Sequence, residues 1–297
     1  MMIRISLLLP LATTLLLTGG CRTGVMRMDE TDLPLQAVVV VEGLDAPECA
    51  IVDPASGFVY VSNIEAPPEA YWSDNGKGFI SRLKPDGTLD TLRWVDSSPA
   101  FVLNSPKGMC ILNGMLYVTD NTRIVEISIQ EARPLRVIVV PGAIRLNDMA
   151  TDGKDVFVSD TDRGIVQRVD LGPEERHETV AEIESVNGIT FAGGTMFAVS
   201  WGLHEVFEVD YRRSGQPEPF GLADHFTNLD GIEVLADGAF IVSDFMGSKV
   251  CLISADRKRV VTLVELESPA DIGLDPKQRR LFVPQLKANQ LSVYLLQ

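Results

Sequence analysis

Histidine and cysteine are scarce in this chain: 297 residues hold three of the first and four of the second, and aromatics make up only 7%. No histidine pair has the spacing of a zinc site, and neither a Gly-x-Ser-x-Gly elbow nor a glycine-rich phosphate loop is present. Zinc hydrolases, serine-nucleophile hydrolases and phosphate-loop enzymes are therefore disfavoured. Basic residues are also in deficit, 26 Lys and Arg against 41 Asp and Glu, for a net charge of −15. Such a surface repels phosphate backbones, and no basic stripe interleaved with aromatics offsets it, so nucleic acid is not an expected partner. Long helical periodicity is missing beyond residue 35, and residues 174–184, the nearest competitor, are charged with too few aligned apolar positions.

One long apolar run is present, at the start. Arg4 followed by Ile5 to Leu17 has the charge and length of a secretory signal and is short for a spanning helix. The next residues, Leu17-Thr18-Gly19-Gly20-Cys21, resemble the bacterial lipobox, departing from it at Thr18, where Leu is usual. That resemblance implies removal of residues 1–20, lipidation of Cys21 and a tether over residues 21–35. Because Arg22 and not Asp follows the cysteine, it also implies the periplasmic side of the outer membrane in a bacterium with two membranes. The alternative is an ordinary signal peptide with an incidental cysteine. Of the other cysteines, an odd number leaves Cys49, Cys110 or Cys251 unpaired. A Cys49–Cys110 bridge between neighbouring repeats is conceivable, but buried free thiols are the favoured expectation.

What the chain has in quantity is repetition. Six strand-like phrases recur: Val59–Asn63, Leu116–Asp120, Val156–Asp160, Met196–Ser200, Phe240–Asp244 and Leu281–Pro284. Upstream of each lies a short run whose opening position holds Glu48, Lys107, Asn147, Asn187, Asp230 and Ala270, in steps of 59, 40, 40, 43 and 40. A period near 40 in short β-type runs predicts a single all-β domain over residues 36–297, a six-bladed β-propeller with one four-stranded sheet per repeat. Lys84-Pro85-Asp86-Gly87, Thr151-Asp152-Gly153 and Ala236-Asp237-Gly238 supply hairpin turns. Residues 36–41 have no partner in their own repeat, so they are expected to pair with the C-terminal strand 291–296 and close the ring. The long first step marks an insertion over residues 65–78, which leaves the strand bearing Asn63 and covers a channel mouth if it folds that way.

In a propeller the six opening positions face one another around the axis. Taken singly, Asn187-Gly188 and Asp230-Gly231 have a bland reading as turn formers. Taken together, Glu48, Asn147, Asn187 and Asp230 gather oxygen donors at one level of one ring. Carboxylates brought together repel unless a cation lies between them, and an all-oxygen donor set suits a hard divalent ion, calcium before magnesium.

On Pro47-Glu48, Arg145-Leu146-Asn147-Asp148, Val186-Asn187-Gly188-Ile189 and Leu229-Asp230-Gly231-Ile232, residues 36–297 resemble the regucalcin, gluconolactonase and luciferin-regenerating enzyme family of six-bladed propellers. The resemblance implies a divalent metal, commonly calcium, on Glu48, Asn187 and Asp230. It implies substrate contacts from Arg145 and Asn147, and a catalytic base at Asp230. Lys107 departs from the pattern, an ammonium where a cation would be repelled. It could pair with Glu48, bind an anionic substrate group, or snorkel to the rim. His204 and His225, in loops after strands, are weaker candidates for the mouth, and His177 reads as solvated.

Two functions from different classes remain in play. One is a metal-dependent hydrolase of a lactone or related ester. The other is a non-catalytic cell-envelope propeller that binds a protein or small ligand, its metal only structural.

Overall fold

A computed structural model describes residues 35–172, 177–213 and 216–296. The proposed signal, Cys21 and almost all of the tether lie outside the described residues.

Six four-stranded antiparallel sheets follow one another along the chain. Blade one runs from Pro47–Val52 to Leu89–Asp96, blade two from Pro106–Leu112 to Arg133–Val139, and blade three from Leu146–Thr151 to His177–Glu182. Blade four runs from Val186–Ala192 to Glu218–Pro219 and blade five from Leu229–Val234 to Val260–Glu265. Blade six is made of Gly273–Asp275, Arg280–Gln285 and Gln290–Leu295, and its outer strand is Ala37–Glu42 from the other end of the domain. Val41 pairs with Leu291 and Val39 with Val293, so the ring closes as the sequence predicts and two sheet edges are hidden in one step. The hairpin turns also form, with Gly87, Gly153 and Gly238 at positive φ.

The first strand of each blade is the inner one, and these strands pack against one another around the axis. Apolar clusters fill the gaps between successive sheets, for example Phe157 with Ile189 and Tyr211, and Ile241 with Ile272 and Leu281. Charge cannot come from such positions, so the chemistry is confined to the inner strands and the loops at their ends.

Each inner strand of blades one to five carries a bulge at the same place. In blade one, Pro47 pairs with Asn63 but Ala50 with Val61, and blades two to five skip between the equivalent residues. The extra residue leaves the ladder and turns its neighbours toward the axis. The repeated Ser or Thr of the phrase answers the disruption. Ser62 Oγ accepts Cys49 N–H at 2.9 Å, Ser159 Oγ accepts Asp148 N–H at 2.9 Å and Ser243 Oγ accepts Gly231 N–H at 2.7 Å. Thr119 and Ser243 also donate to the carbonyls of Asn147 and Ala270 in the next blade, at 2.7 and 2.8 Å.

The Asp that ends several phrases anchors the strand entry. Asp120 Oδ1 accepts Asn104 and Ser105 N–H, and Asp244 accepts those of Thr227 and Asn228.

The bland reading of the Asn-Gly and Asp-Gly pairs does not hold, since both lie inside bulged inner strands. Gly188 and Gly231 are there for contact: a Cβ at Gly188 would meet Asp230 O at 2.3 Å, and one at Gly231 would meet Ile272 N at 2.6 Å. Cys49, Cys110 and Cys251 are free and buried, so the conceivable Cys49–Cys110 bridge is absent.

Candidate functional site

The column assembles at one mouth of the channel. Glu48, Lys107, Asn147, Asn187 and Asp230 all line a cavity of ≈ 370 Å³, within the range of small-molecule sites, together with Arg145. Ala270, the sixth member, is fully buried and does not line the cavity.

The donor set fits a hard cation. Glu48 is 5% exposed, and its Oε2 is buried with no hydrogen-bond partner. An orphaned buried carboxylate oxygen is costly and calls for a counter-charge or a proton. Asn187 spends its N–H on Asp230 Oδ1 at 3.0 Å, and Asn147 spends its on Thr161 Oγ1 at 3.2 Å, so each amide keeps its oxygen in reserve. Burial first, then the charge of Asp230, holds the Glu48 carboxyl well above the usual range. Asp230 is pushed up to about 7 by burial, then by the charge of Asp148. Both carboxyls hold protons more tightly than free ones, a strain of buried neighbouring carboxylates that a cation between them would relieve.

Lys107 is 2% exposed, which rules out snorkelling at the rim. Its ammonium donates to Tyr71 O at 2.8 Å and Ser105 O at 3.1 Å and lies 3.9 Å from the Trp72 ring centroid. Burial lowers its pKa to about 8, opposed by Glu48. Tyr71 and Trp72 belong to the insertion, which folds over the mouth. Ser105 Oγ donates to Ser73 O at 2.9 Å and Asn121 Nδ2 to Asp74 Oδ1 at 2.7 Å, so three blade-two side chains hold it there. The odd member of the column thus goes with the odd loop. Arg145, at the rim and 46% exposed in its side chain, stands 5.3 Å from the same ring and 3.3 Å from Asp162. Neither His204 nor His225 lines the cavity.

Two features had no place in the sequence reading. Cys49, Asp148 and Asp271 lie one residue deeper, with donor atoms within 4.8 Å of one another. Asp148 accepts Met149 N–H at 2.6 Å and Ile189 N–H at 2.7 Å, while Cys49 is hydrogen-bonded to Asp271 and Asp271 to Asp148. Every member of that tier has a partner, and the tier ties blades one, three, four and six together. The second feature is a wall column, the residue five positions after the start of the phrase in every blade but the second: Ile64, Thr161, Trp201, Phe245 and Leu286 all line the cavity. Its signal was present as five residues at a fixed offset from the repeat, but their types share no chemistry that would flag them.

No protein-family model matches the chain, and no curated protein does. Solved structures match over most of its length. A proposed gluconolactonase aligns at 18% identity and a TM-score of 0.63, covering 88% of this chain and 91% of its own. Luciferin-regenerating enzyme aligns at 17% identity and a TM-score of 0.60, covering 86% and 94%. Inactivated virginiamycin B lyase of Staphylococcus aureus, solved with quinupristin, aligns at 14% identity and a TM-score of 0.57, covering 87% and 99%. At these identities the likeness is one of fold: the chain is an all-β, six-bladed propeller similar in architecture to gluconolactonase-like structures.

Proposed function

We propose that the chain is a divalent-metal-dependent hydrolase of a lactone or related ester, with calcium the favoured ion. The observation that carries this is the orphaned Glu48 oxygen beside Asn187 and Asp230 at the floor of a cavity of ligand size. Glu48, Asn187 and Asp230 would hold the ion, with Asn147 beside them. A divalent cation so held supplies Lewis-acid polarisation of the scissile carbonyl. Asp230, placed by its contact with the Asn187 N–H, would take the proton of the attacking water and return it to the alkoxide oxygen as the acyl–oxygen bond breaks. Arg145 and Asn147 orient the ester from the blade-three side, and the roof of Tyr71 and Trp72, pinned by Lys107, excludes bulk water.

The deciding experiment is turnover of a lactone and ester panel with and without chelator, by wild type and Asp230→Asn. The expected result is calcium-dependent hydrolysis by wild type and loss of roughly 100-fold or more in the variant at equal metal content. Equal rates refute Asp230 as base. Calcium binding with no turnover of any ester favours the non-catalytic propeller instead.

We infer further that Cys21 anchors the protein in the cell envelope through lipid. That placement is supported by the lipobox-like residues 17–21.

A further inference from the structure

The cavity is chemically two-sided. Blades two and three contribute Lys107, Arg145, Asn147, Thr161 and Asp162, and their polar groups are already largely committed: Lys107 to two carbonyls, Thr161 to Val186 O at 2.8 Å, Arg145 to Asp162. The other side differs. The wall column reads Trp201, Phe245, Leu286 and Ile64 in four consecutive blades, four to six and then one, and Ala270 of blade six packs behind it. These residues form one packed apolar cluster with Tyr71, and the Trp201 and Phe245 rings lie 5.4 Å apart. Ile64, Phe245 and Leu286 are 1, 8 and 5% exposed, so this side is a fixed surface and not a set of loose side chains.

We propose, resting on the hydrolase reading above, that the site selects a lactone or ester bearing an apolar substituent, alkyl or aryl, over a polyhydroxylated sugar lactone. Ile64, Trp201, Phe245 and Leu286 are the specificity-determining residues. The ester carbonyl lies over Glu48 and Asp230, and the substituent runs along the apolar wall. A sugar lactone turned the same way would set hydroxyls against carbon, where buried donors and acceptors go unpaired. An alkyl chain in the same place replaces water at an apolar surface.

The test measures kcat/KM for γ-butyrolactone, γ-decalactone and glucono-δ-lactone with calcium present. In parallel, quenching of tryptophan fluorescence reads binding of the matching γ-lactams, since Trp72 and Trp201 both line the cavity. The six-carbon chain is expected to raise kcat/KM at least about 10-fold over the bare ring, with the sugar lactone poorer still. Trp201→Gln and Leu286→Gln are each expected to lower the decalactone-to-butyrolactone ratio, and either alone suffices if the other does not fold. Turnover with a flat ratio, or with the sugar lactone preferred, overturns the selectivity and leaves the hydrolase reading intact. Absence of turnover with chain-dependent lactam binding supports the selectivity while the hydrolase reading falls. Absence of both overturns both.

Discussion

Asp230→Asn should make the metal-free protein more stable while abolishing its activity. The Asp230 carboxyl rises from 3.8 to about 7 in the fold, through burial and then the charge of Asp148. A carboxyl with a raised folded pKa keeps its proton between those two values while the unfolded chain has lost it. Stability therefore falls as pH climbs through that window and stays at the lower level above it. About three units at roughly 1.4 kcal/mol each put the cost of ionising Asp230 near 4 kcal/mol by pH 8. Asn carries no charge to bury and can still accept the Asn187 N–H now held at 3.0 Å. It also relieves Glu48, whose raised pKa has the charge of Asp230 as its second cause. With some desolvation cost remaining for the amide, a gain of ~2–4 kcal/mol is expected at pH 8 in chelator, or roughly 5–15 °C in Tm. No gain is expected below about pH 4, where both states are protonated. Thermal unfolding across pH 4–8 in chelator reads this directly. A variant no more stable than wild type at pH 8, with an unchanged pH slope, refutes the account of Asp230 as a strained functional carboxyl.

Other outcomes follow from single contacts. Ser243→Ala strips the partner from Gly231 N–H and from Ala270 O in one change, so urea unfolding should show a loss of ~2–4 kcal/mol. Lys107→Met should free the roof: limited proteolysis within residues 65–78 should speed up at least several-fold, whereas cleavage elsewhere should not. Cys21→Ser should move the protein from the membrane to the soluble envelope fraction and remove incorporation of labelled fatty acid.

The blade count, the ring closure and the polar column were legible because a propeller repeats its constraints: blades one to five share one bulge, and in three of them a serine hydroxyl accepts the freed N–H, as Ser62, Ser159 and Ser243 do. Asn187-Gly188 and Asp230-Gly231 were ambiguous from sequence because a glycine that admits a neighbouring strand looks the same as one that makes a turn. Lys107 could not be resolved from its own position, since its partners Tyr71 and Trp72 sit about 35 residues upstream in an irregular loop. The tier of Cys49, Asp148 and Asp271 follows the column by one residue. It was hidden because three of its six members are Gly108, Gly188 and Gly231, chosen for close packing between blades.

Calcium binding at the mouth is the claim on which the rest depends, and calorimetric titration of chelator-stripped protein tests it most directly, with Glu48→Gln alongside. Wild type is expected to take up one ion at this site and to gain about 2.7 kcal/mol of stability at a hundredfold excess over Kd. Glu48→Gln, which keeps the shape and removes the orphaned anionic oxygen, should lose most of that binding. Undetectable uptake by wild type, or equal uptake by the variant, contradicts the account.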